Sequence, residues 1–238
     1  IEKVKKLYNC QNLNHGISEL FYIIANLYSS EKEYRNSNFY FRISNFFNPD
    51  FGPNIILLAQ NLYELKQYDN ALQEFLKLRK LGNQYNWYAV KNMANIIEIQ
   101  RSLSDSVIFL ENKVKLIKNP NYNIFYDLAN FYRDNKQYEK SIEFYTKVLN
   151  LIDDNNVLTP KVYYRIGTCY ESLGEYKFSE KNIKKSLSLL PDQPYVLNYL
   201  AYSWLERKIN LKESISMLEK ANSLKENDPY IIDSLGWG

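Results

Sequence analysis

The side chains that could support catalysis or bind a metal are few, and their spacing does not group them. His15 is the single histidine among 238 residues, so a catalytic triad or a Cys-His pair would have to use it. It precedes Gly16, where we expect a surface turn between two helices. The run from Asp153 to Asn156 is rich in oxygen ligands but lacks the glycine and terminal glutamate of a calcium loop. We interpret this run as a solvated linker and predict no catalytic or metal site.

Two cysteines complete the set of chemically reactive side chains. Cys10 and Cys169 are too few for a disulfide framework and lack the spacing of a metal site. Each falls at a packing position of a predicted helix, where a buried thiol is unreactive. There is also no glycine-rich phosphate loop in the sequence. We therefore predict a chain without a cofactor and without enzymatic activity of its own.

Composition and charge narrow the class of protein further. Seven glycines and seven prolines are each roughly 3% of the chain, below the average usage of about 7% and 5%, which favours helices with short connections. The 30 basic and 27 acidic residues nearly balance, so the totals predict no basic surface for nucleic acid. The longest apolar run, Leu20 to Ala25, is far shorter than the roughly 18 residues of a membrane span.

The elements that organise the chain are a large residue followed at once by a small one, recurring at steps of 34 to 38 residues. These pairs are Ile24 and Ala25, Leu58 and Ala59, Met93 and Ala94, Leu128 and Ala129, Ile166 and Gly167, Leu200 and Ala201, and Leu235 and Gly236. A second small residue follows in each repeat at Ser37, Ala71, Ser106, Ser141, Ser179 and Ser214. A large residue stands four positions later, at Phe41, Phe75, Leu110, Tyr145, Ile183 and Leu218. This spacing predicts two short helices per repeat that pack face to face.

A helix-turn-helix period of about 34 residues resembles the tetratricopeptide repeat. The resemblance implies an all-α fold, an α-α superhelix or solenoid of antiparallel helix hairpins. We predict six complete units at about 17–50, 51–85, 86–120, 121–158, 159–192 and 193–227. Residues 1–16 are expected to be the second helix and turn of a preceding repeat, and residues 228–238 the first helix of a further one.

The last third carries a more specific resemblance. Three segments, Pro191 to Pro194, Leu197 to Trp204 and Tyr230 to Trp237, follow the motifs PDQP, LNYLGYSW and YIVDSLGW of a family of bacterial multi-repeat tetratricopeptide proteins. The main departures are Ala201 for glycine and Ile232 for valine. The resemblance implies a longer parent protein with more repeats and no inherited catalytic residue. Because members commonly carry an export or lipoprotein signal, the bacterial cell envelope or periplasm is the expected compartment, with the cytoplasm as the alternative.

In the fold that the period resembles, the first helices of the repeats line a concave groove. In each first helix, the residue five positions after the opening large residue is polar in all six units. The residue one position after the same opening residue is tyrosine in three of them. Amides both donate and accept hydrogen bonds, and tyrosines anchor a partner with a polar tip. The predicted groove residues are Tyr22, Asn26, Gln60, Lys91, Asn95, Tyr126, Asn130, Tyr164, Thr168 and Tyr202. The alternative is that they are ordinary solvated surface, since the chain is rich in asparagine and tyrosine.

A sharper version of the groove is a clamp for a chain-terminal carboxylate, as some tetratricopeptide domains use. Lys91, Asn95, Lys161 and Arg165 fall at the corresponding positions. Asp127 falls at the centre, where its negative charge would repel the ligand. The sequence therefore disfavours the clamp.

Three functions remain in view at this point. The first is a non-catalytic scaffold or adaptor that binds a protein or peptide of unknown identity in the groove. The alternative is the accessory array of a larger enzyme whose catalytic domain lies outside these residues. The third, an RNA-reading helical repeat, is disfavoured by the near-neutral charge. Homo-oligomer formation through the groove or the exposed ends stays open.

Overall fold

A computed structural model describes residues 12–238, with the side chains of all of them except Asn83 and Gln84. Every regular element in this range is an α-helix. In chain order the helices are α1 (Leu13–Ser30), α2 (Tyr34–Phe47), α3 (Gly52–Glu64), α4 (Tyr68–Lys80), α5 (Asn83–Gln100), α6 (Leu103–Val114), α7 (Tyr122–Asp134), α8 (Tyr138–Leu149), α9 (Thr159–Ser172), α10 (Tyr176–Leu189), α11 (Pro194–Glu206), α12 (Leu211–Leu224) and α13 (Pro229–Trp237). The predicted all-α fold class is confirmed. Cys10 and most of the predicted preceding repeat lie outside the described residues.

The chain divides into two compact units, Ile1–Leu116 and Ile117–Gly238, called here the first and the second unit. In the first unit α1 packs on α2, α3 on α4 and α5 on α6, and these hairpins meet through α2 with α3 and α4 with α5. In the second unit α7 packs on α8, α9 on α10 and α11 on α12, and α13 packs on α12. The repeat pattern continues across residues 116 and 117, so it did not predict this division. The boundaries of the six repeats stay a prediction.

The small positions of the second helices lie where two helices cross, as predicted. All six are buried with at most 1% of their surface exposed. In three of the five units in which this residue is serine, its hydroxyl satisfies its own hydrogen-bonding need by donating to a backbone carbonyl of the preceding helix. The pairs are Ser37 with the carbonyl of Ala25 (2.7 Å), Ser106 with Ala94 (2.8 Å) and Ser141 with Ala129 (2.9 Å). Serine thus serves as a small residue without leaving a buried polar atom unpaired.

The large positions of the same helices form the apolar core. Phe41, Phe75, Leu110, Tyr145, Ile183 and Leu218 are each 0 or 1% exposed. In the first unit Phe41 and Phe75 join Leu58, Leu62 and Ile96 of the first helices in one cluster. Burial of a large apolar side chain contributes about 1.5–3 kcal/mol. The large residues that the repeat pattern identifies therefore form the apolar core that stabilises the hairpins.

Five of the hairpin turns contain a residue in the left-handed conformation, whereas in the turn between α5 and α6 Arg101 has a φ of −130°. The φ angle is 61° at Lys32, 58° at Lys66, 56° at Lys136, 76° at Gly174 and 54° at Lys208. The backbone N–H of the following residue then donates to a carbonyl in the last turn of the first helix. In one such turn, the N–H of Gln67 donates to the carbonyl of Leu62 at 2.8 Å. This bond satisfies a helix-terminal carbonyl, which offsets the cost of the left-handed conformation for a side chain other than glycine.

The start of α1 contradicts one prediction from the sequence. His15 and Gly16 lie within α1, so the expected surface turn at these residues is wrong. The helix begins at Leu13 because Asn12 caps it, its side-chain oxygen accepting the backbone N–H of Asn14 at 2.9 Å. Asparagine is a preferred N-cap, and that signal outweighs the glycine in the next turn. His15 is half-buried.

The long connection before α9 is closed by its own polar groups. The Asp153 carboxylate accepts the backbone N–H of Asn155 at 3.0 Å, and the Thr159 hydroxyl donates to the Asp153 carbonyl at 2.5 Å. Asp154 pairs with Lys185 at 2.8 Å. The helix α9 then begins at Thr159 with proline in its first turn. This oxygen-rich run therefore shapes and anchors a loop.

None of the helices in residues 12–238 combines the length and the apolar character needed to cross a bilayer.

Candidate functional site

The first unit contains a cavity of about 350 Å³ whose main walls are α3 and α5. Gln60, Tyr63 and Glu64 line it from the last turns of α3, and Asn92 and Asn95 line it from α5. These two helices are the first helices of consecutive hairpins. Their amide-bearing faces meet because α4 packs behind both of them.

Two residues of the predicted groove are brought together here. Gln60 is exposed and Asn95 half-buried, and both line the cavity. The Gln60 amide donates to the Tyr88 hydroxyl at 2.7 Å, while Asn92 donates to the Tyr88 backbone carbonyl at 2.8 Å. Burial raises the pKa of Tyr88, against the lowering effect of its hydrogen bonds to Gln60 and Asn92. The Tyr88 side chain therefore holds the Gln60 carboxamide on the wall that Asn95 also lines.

The rear wall of the cavity is held by hydrogen bonds that sequence reasoning missed. The Ser29 hydroxyl donates to the Asn61 side-chain oxygen at 2.8 Å, and the Asn61 amide donates to the Ser37 hydroxyl at 2.8 Å. Asn61 is 2% exposed, and these partners satisfy its carboxamide. The bonds tie α3 to the first hairpin, so Asn61 orients the wall. The sequence signal that could have indicated this role is that Asn61 directly follows Gln60 and therefore lies on the packed side of α3.

Charge and aromatic surface complete the lining. Glu64 lies at the rim, and Tyr34, Tyr63 and Phe75 present rings to the cavity. Burial raises the pKa of Tyr63, with further raising effects from Tyr68 and from the carboxylates of Glu64 and Glu98. Negative charge is therefore concentrated around the Tyr63 side of the cavity.

The other predicted groove residues of the first unit have different surroundings. Tyr22 is half-buried, and its ring packs against Phe41 at 6.0 Å and Phe51 at 5.1 Å between centroids. Asn26 is exposed on α1, and Lys91 is half-buried on α5, one turn before Asn95. None of these three lines the cavity. A binding role for them stays a prediction.

In the second unit the predicted residues are mostly engaged by their neighbours. Asn130 accepts a hydrogen bond from the Tyr145 hydroxyl at 2.6 Å. Tyr126 packs against Tyr145 with 5.8 Å between ring centroids, and Tyr164 meets Tyr199 edge to face at 5.5 Å. These side chains contribute to packing along the first helices.

Two predicted residues remain in the second unit. The Thr168 hydroxyl donates to the Arg165 carbonyl of its own helix at 2.8 Å. Tyr202 is exposed and lines a shallow cavity with Asp233 and Trp237. The disfavoured carboxylate clamp would draw Lys91 and Asn95 from the first unit and its other members from the second.

The thiol of Cys169 is part of the packing between helices. Cys169 is fully buried, and its thiol donates to the Ser141 hydroxyl at 3.6 Å. Burial raises the pKa of this thiol, which keeps it in the weakly reactive protonated form. The prediction of a buried thiol is confirmed for this cysteine. No cluster of potential metal ligands occurs among residues 12–238.

Comparison with known proteins identifies the class to which this architecture is similar. Residues 122–192 match the family model of the tetratricopeptide repeat. A tetratricopeptide repeat-containing protein of Pseudomonas aeruginosa is 27% identical over 99 residues, which are 42% of this chain and 15% of that relative. The chain thus spans a small part of the curated relative it matches.

Solved structures extend the likeness over most of the chain. The type IV pilus biogenesis factor PilW superimposes with a TM-score of 0.67 at 13% identity, covering 92% of this chain and 98% of PilW. YrrB, described as a tetratricopeptide protein with an unusual peptide-binding site, superimposes with a TM-score of 0.55 at 14% identity, covering 82% and 96%. At these identities the likeness shows the fold. The chain therefore has the helix-hairpin fold of tetratricopeptide-repeat proteins, and the resemblance predicted from its period is supported.

Proposed function

We propose that this protein is a non-catalytic scaffold that binds an extended segment of a partner protein in the cavity between α3 and α5. The observation that carries the proposal is that Gln60 and Asn95, selected from the repeat pattern as ligand contacts, line one cavity. Its volume of about 350 Å³ falls within the roughly 300–1,000 Å³ of typical ligand pockets.

The amides suit the backbone of an extended peptide. Each carboxamide offers both donors and an acceptor, so Gln60, Asn92 and Asn95 can pair with peptide N–H and C=O groups whatever the sequence. The hydrogen bonds from Ser29 through Asn61 to Ser37 hold the wall in place before a ligand arrives. A preformed wall lowers the entropic cost of binding.

The comparisons support the proposal at the level of class. The fold is that of proteins with peptide-binding members such as YrrB, and the family model that matches is that of the tetratricopeptide repeat. We further propose the bacterial cell envelope as the compartment, on the basis of the PDQP and DSLGW motifs and the fold shared with a pilus biogenesis factor.

Selection from a displayed library of random peptides, followed by fluorescence anisotropy on the selected peptides, tests the scaffold. Gln60→Ala with Asn95→Ala should weaken binding at least about tenfold, or 1.4 kcal/mol. Gln73→Ala with Asn112→Ala is the matched control, since it removes two exposed amides of the same unit that lie away from the cavity. Circular dichroism establishes that both variants fold. Equal loss in the two variants, or no selected peptide at all, would overturn the proposal.

A further inference from the structure

The cavity of the first unit is lined by one carboxylate, that of Glu64. Glu64 is the charged side chain among the described lining residues, none of which is basic. Within residues 12–238 its carboxylate makes no ion pair. Glu98 lies one turn beyond Asn95 on α5, and both carboxylates act on the Tyr63 hydroxyl by raising its pKa. The electrostatic character of this side of the cavity is therefore that of a cation acceptor.

Aromatic rings line the same space. Phe75, with 1% of its surface exposed, lies at the inner end, and Tyr63 and Tyr34 lie nearer the rim. Tyr63 is held by an edge-to-face contact with Tyr68, their centroids 5.6 Å apart. A ring face attracts an ammonium or guanidinium group, and its apolar surface accepts the methylenes of a long side chain. Carboxylate and rings together define a receptor for a long cationic side chain.

We propose that this cavity takes a lysine or arginine side chain of the extended partner segment, with its charged end paired to Glu64. The methylenes lie against Tyr63 and Phe75, while Gln60 and Asn95 hold the neighbouring peptide backbone. This inference rests on the proposed scaffold function and adds the side-chain chemistry of the partner. An acidic side chain is repelled by Glu64, and an apolar one desolvates the carboxylate and the amides without pairing them.

Four end-capped, fluorescein-labelled heptapeptide libraries test the preference. The central residue is fixed as lysine, arginine, norleucine or glutamate, and the other positions vary among uncharged residues. The lysine and arginine libraries should bind about fivefold tighter than the norleucine library at low salt, with the glutamate library weakest. Raising sodium chloride to 0.5 M should shrink the preference, because partly exposed charges are screened.

Glu64→Gln is the decisive variant, with Glu219→Gln as its matched control on an exposed face of α12. Glu64→Gln should bring the lysine, arginine and norleucine libraries to within about twofold of one another, and Glu219→Gln should leave the preference intact. Salt-independent binding of all four libraries with equal affinity would overturn the cation preference.

The two proposals fail in distinguishable ways. If the four libraries bind equally but lose affinity with Gln60→Ala and Asn95→Ala, the scaffold stands and the cation preference is wrong. Uniform weakening of all four libraries by Glu64→Gln likewise contradicts a charge-selective role. If no library binds, or binding is indifferent to Gln60 and Asn95, both the scaffold site and the cation preference are overturned.

Discussion

The two compact units use one repeat position in opposite ways. Phe75 in the first unit and Tyr145 in the second are the large residues of equivalent second helices, and Gln60 and Asn130 are the equivalent amides of the preceding first helices. In the second unit the Tyr145 hydroxyl closes onto Asn130 at 2.6 Å. In the first unit Phe75 carries no hydroxyl, and Gln60 bonds to Tyr88 instead. Phe75 and Gln60 line the cavity of the first unit, whereas the equivalent pair in the second unit is joined by a hydrogen bond.

The joints between successive hairpins differ in the same way. In the first unit, neutral hydrogen bonds run from Ser29 through Asn61 to Ser37. The equivalent positions in the second unit place Glu171 between the hydroxyls of Ser179 and Ser203, both of which donate to its carboxylate. Charge-assisted hydrogen bonds are roughly twice as strong as neutral ones. The three equivalent positions thus form the joint in both units, with the Asn61 carboxamide at the centre in one and the Glu171 carboxyl group in the other.

The largest expected effect is at Glu171, the centre of the joint in the second unit. Glu171→Ala removes the acceptor of two part-buried hydroxyls and should lower the free energy of unfolding by about 2–3 kcal/mol. Ser29→Ala, which removes one neutral donor from the first unit's joint, should cost about 1 kcal/mol. Urea unfolding followed by circular dichroism measures both. Equal losses in the two variants would remove the distinction between the joints.

Gly167 gives the next largest effect. A Cβ atom at this position would lie 2.5 Å from Cγ1 of Ile183 and 3.2 Å from the Ser179 carbonyl, whereas the equivalent Ala59 of the first unit is buried without hindrance. Gly167→Ala should therefore destabilise the protein by about 1–2 kcal/mol despite its better helix propensity.

Gly16→Ala is the matched control for that substitution. Gly16 also lies in a helix, but no atom of residues 12–238 comes within 4 Å of an added Cβ. The same chemical change should there stabilise the protein by about 0.5–1 kcal/mol. Thermal unfolding of the two variants should shift in opposite directions, and a Gly167→Ala variant more stable than the parent would contradict the close approach.

Exchange of the aromatic residues tests the comparison between the units directly. Tyr145→Phe loses the hydrogen bond to Asn130 and should cost about 1 kcal/mol. Phe75→Tyr places a hydroxyl at the cavity and should change stability by less than about 0.5 kcal/mol. It should, however, weaken the binding of selected peptides several-fold, measured by anisotropy. Unchanged peptide affinity in Phe75→Tyr would mean that the cavity beside Phe75 is not where peptides bind.

The smallest effect is a pH dependence in the second unit. Burial acts to raise the pKa of Glu180, but hydrogen bonds from Lys184 at 2.7 Å and from the Trp204 indole at 3.0 Å outweigh it and lower that pKa. A lowered folded-state pKa adds stability above the unfolded-state value of about 4.3, and this stability is lost as the pH falls through the folded-state value. Its size should be below about 1 kcal/mol, since Glu180 is partly exposed.

Urea unfolding at pH 7 and below pH 4 checks this linkage. Glu180→Gln should lose less stability on acidification than the parent, whereas the exposed Glu219→Gln should behave as the parent does. The counterpart of Glu180 in the first hairpin is Asn38, which carries no charge. Identical pH dependence in Glu180→Gln and the parent would show that this glutamate is not linked to folding.

The candidate site was predictable only in part. Gln60 and Asn95 followed from counting along each repeat, because equivalent residues of equivalent helices share a direction. Tyr22 and Asn130 were counted in the same way, yet Tyr22 packs against Phe51 and Asn130 bonds to Tyr145. Counting specifies the face of a helix, whereas exposure on that face depends on the size and polarity of residues from other helices.

The sequence by itself determined the helical hairpins and their packing positions. The repeat period, the small positions and the spacing of apolar residues can all be read along the chain. A helix that buries one apolar stripe must place the residues of that stripe in the core. Only the tertiary structure decided that α1 begins at Leu13, that the chain divides at Leu116, and that Glu64 and Phe75 meet Gln60 and Asn95 around one cavity. These outcomes depend on which side chains of separate helices reach each other, and that depends on atomic distances that no single repeat encodes.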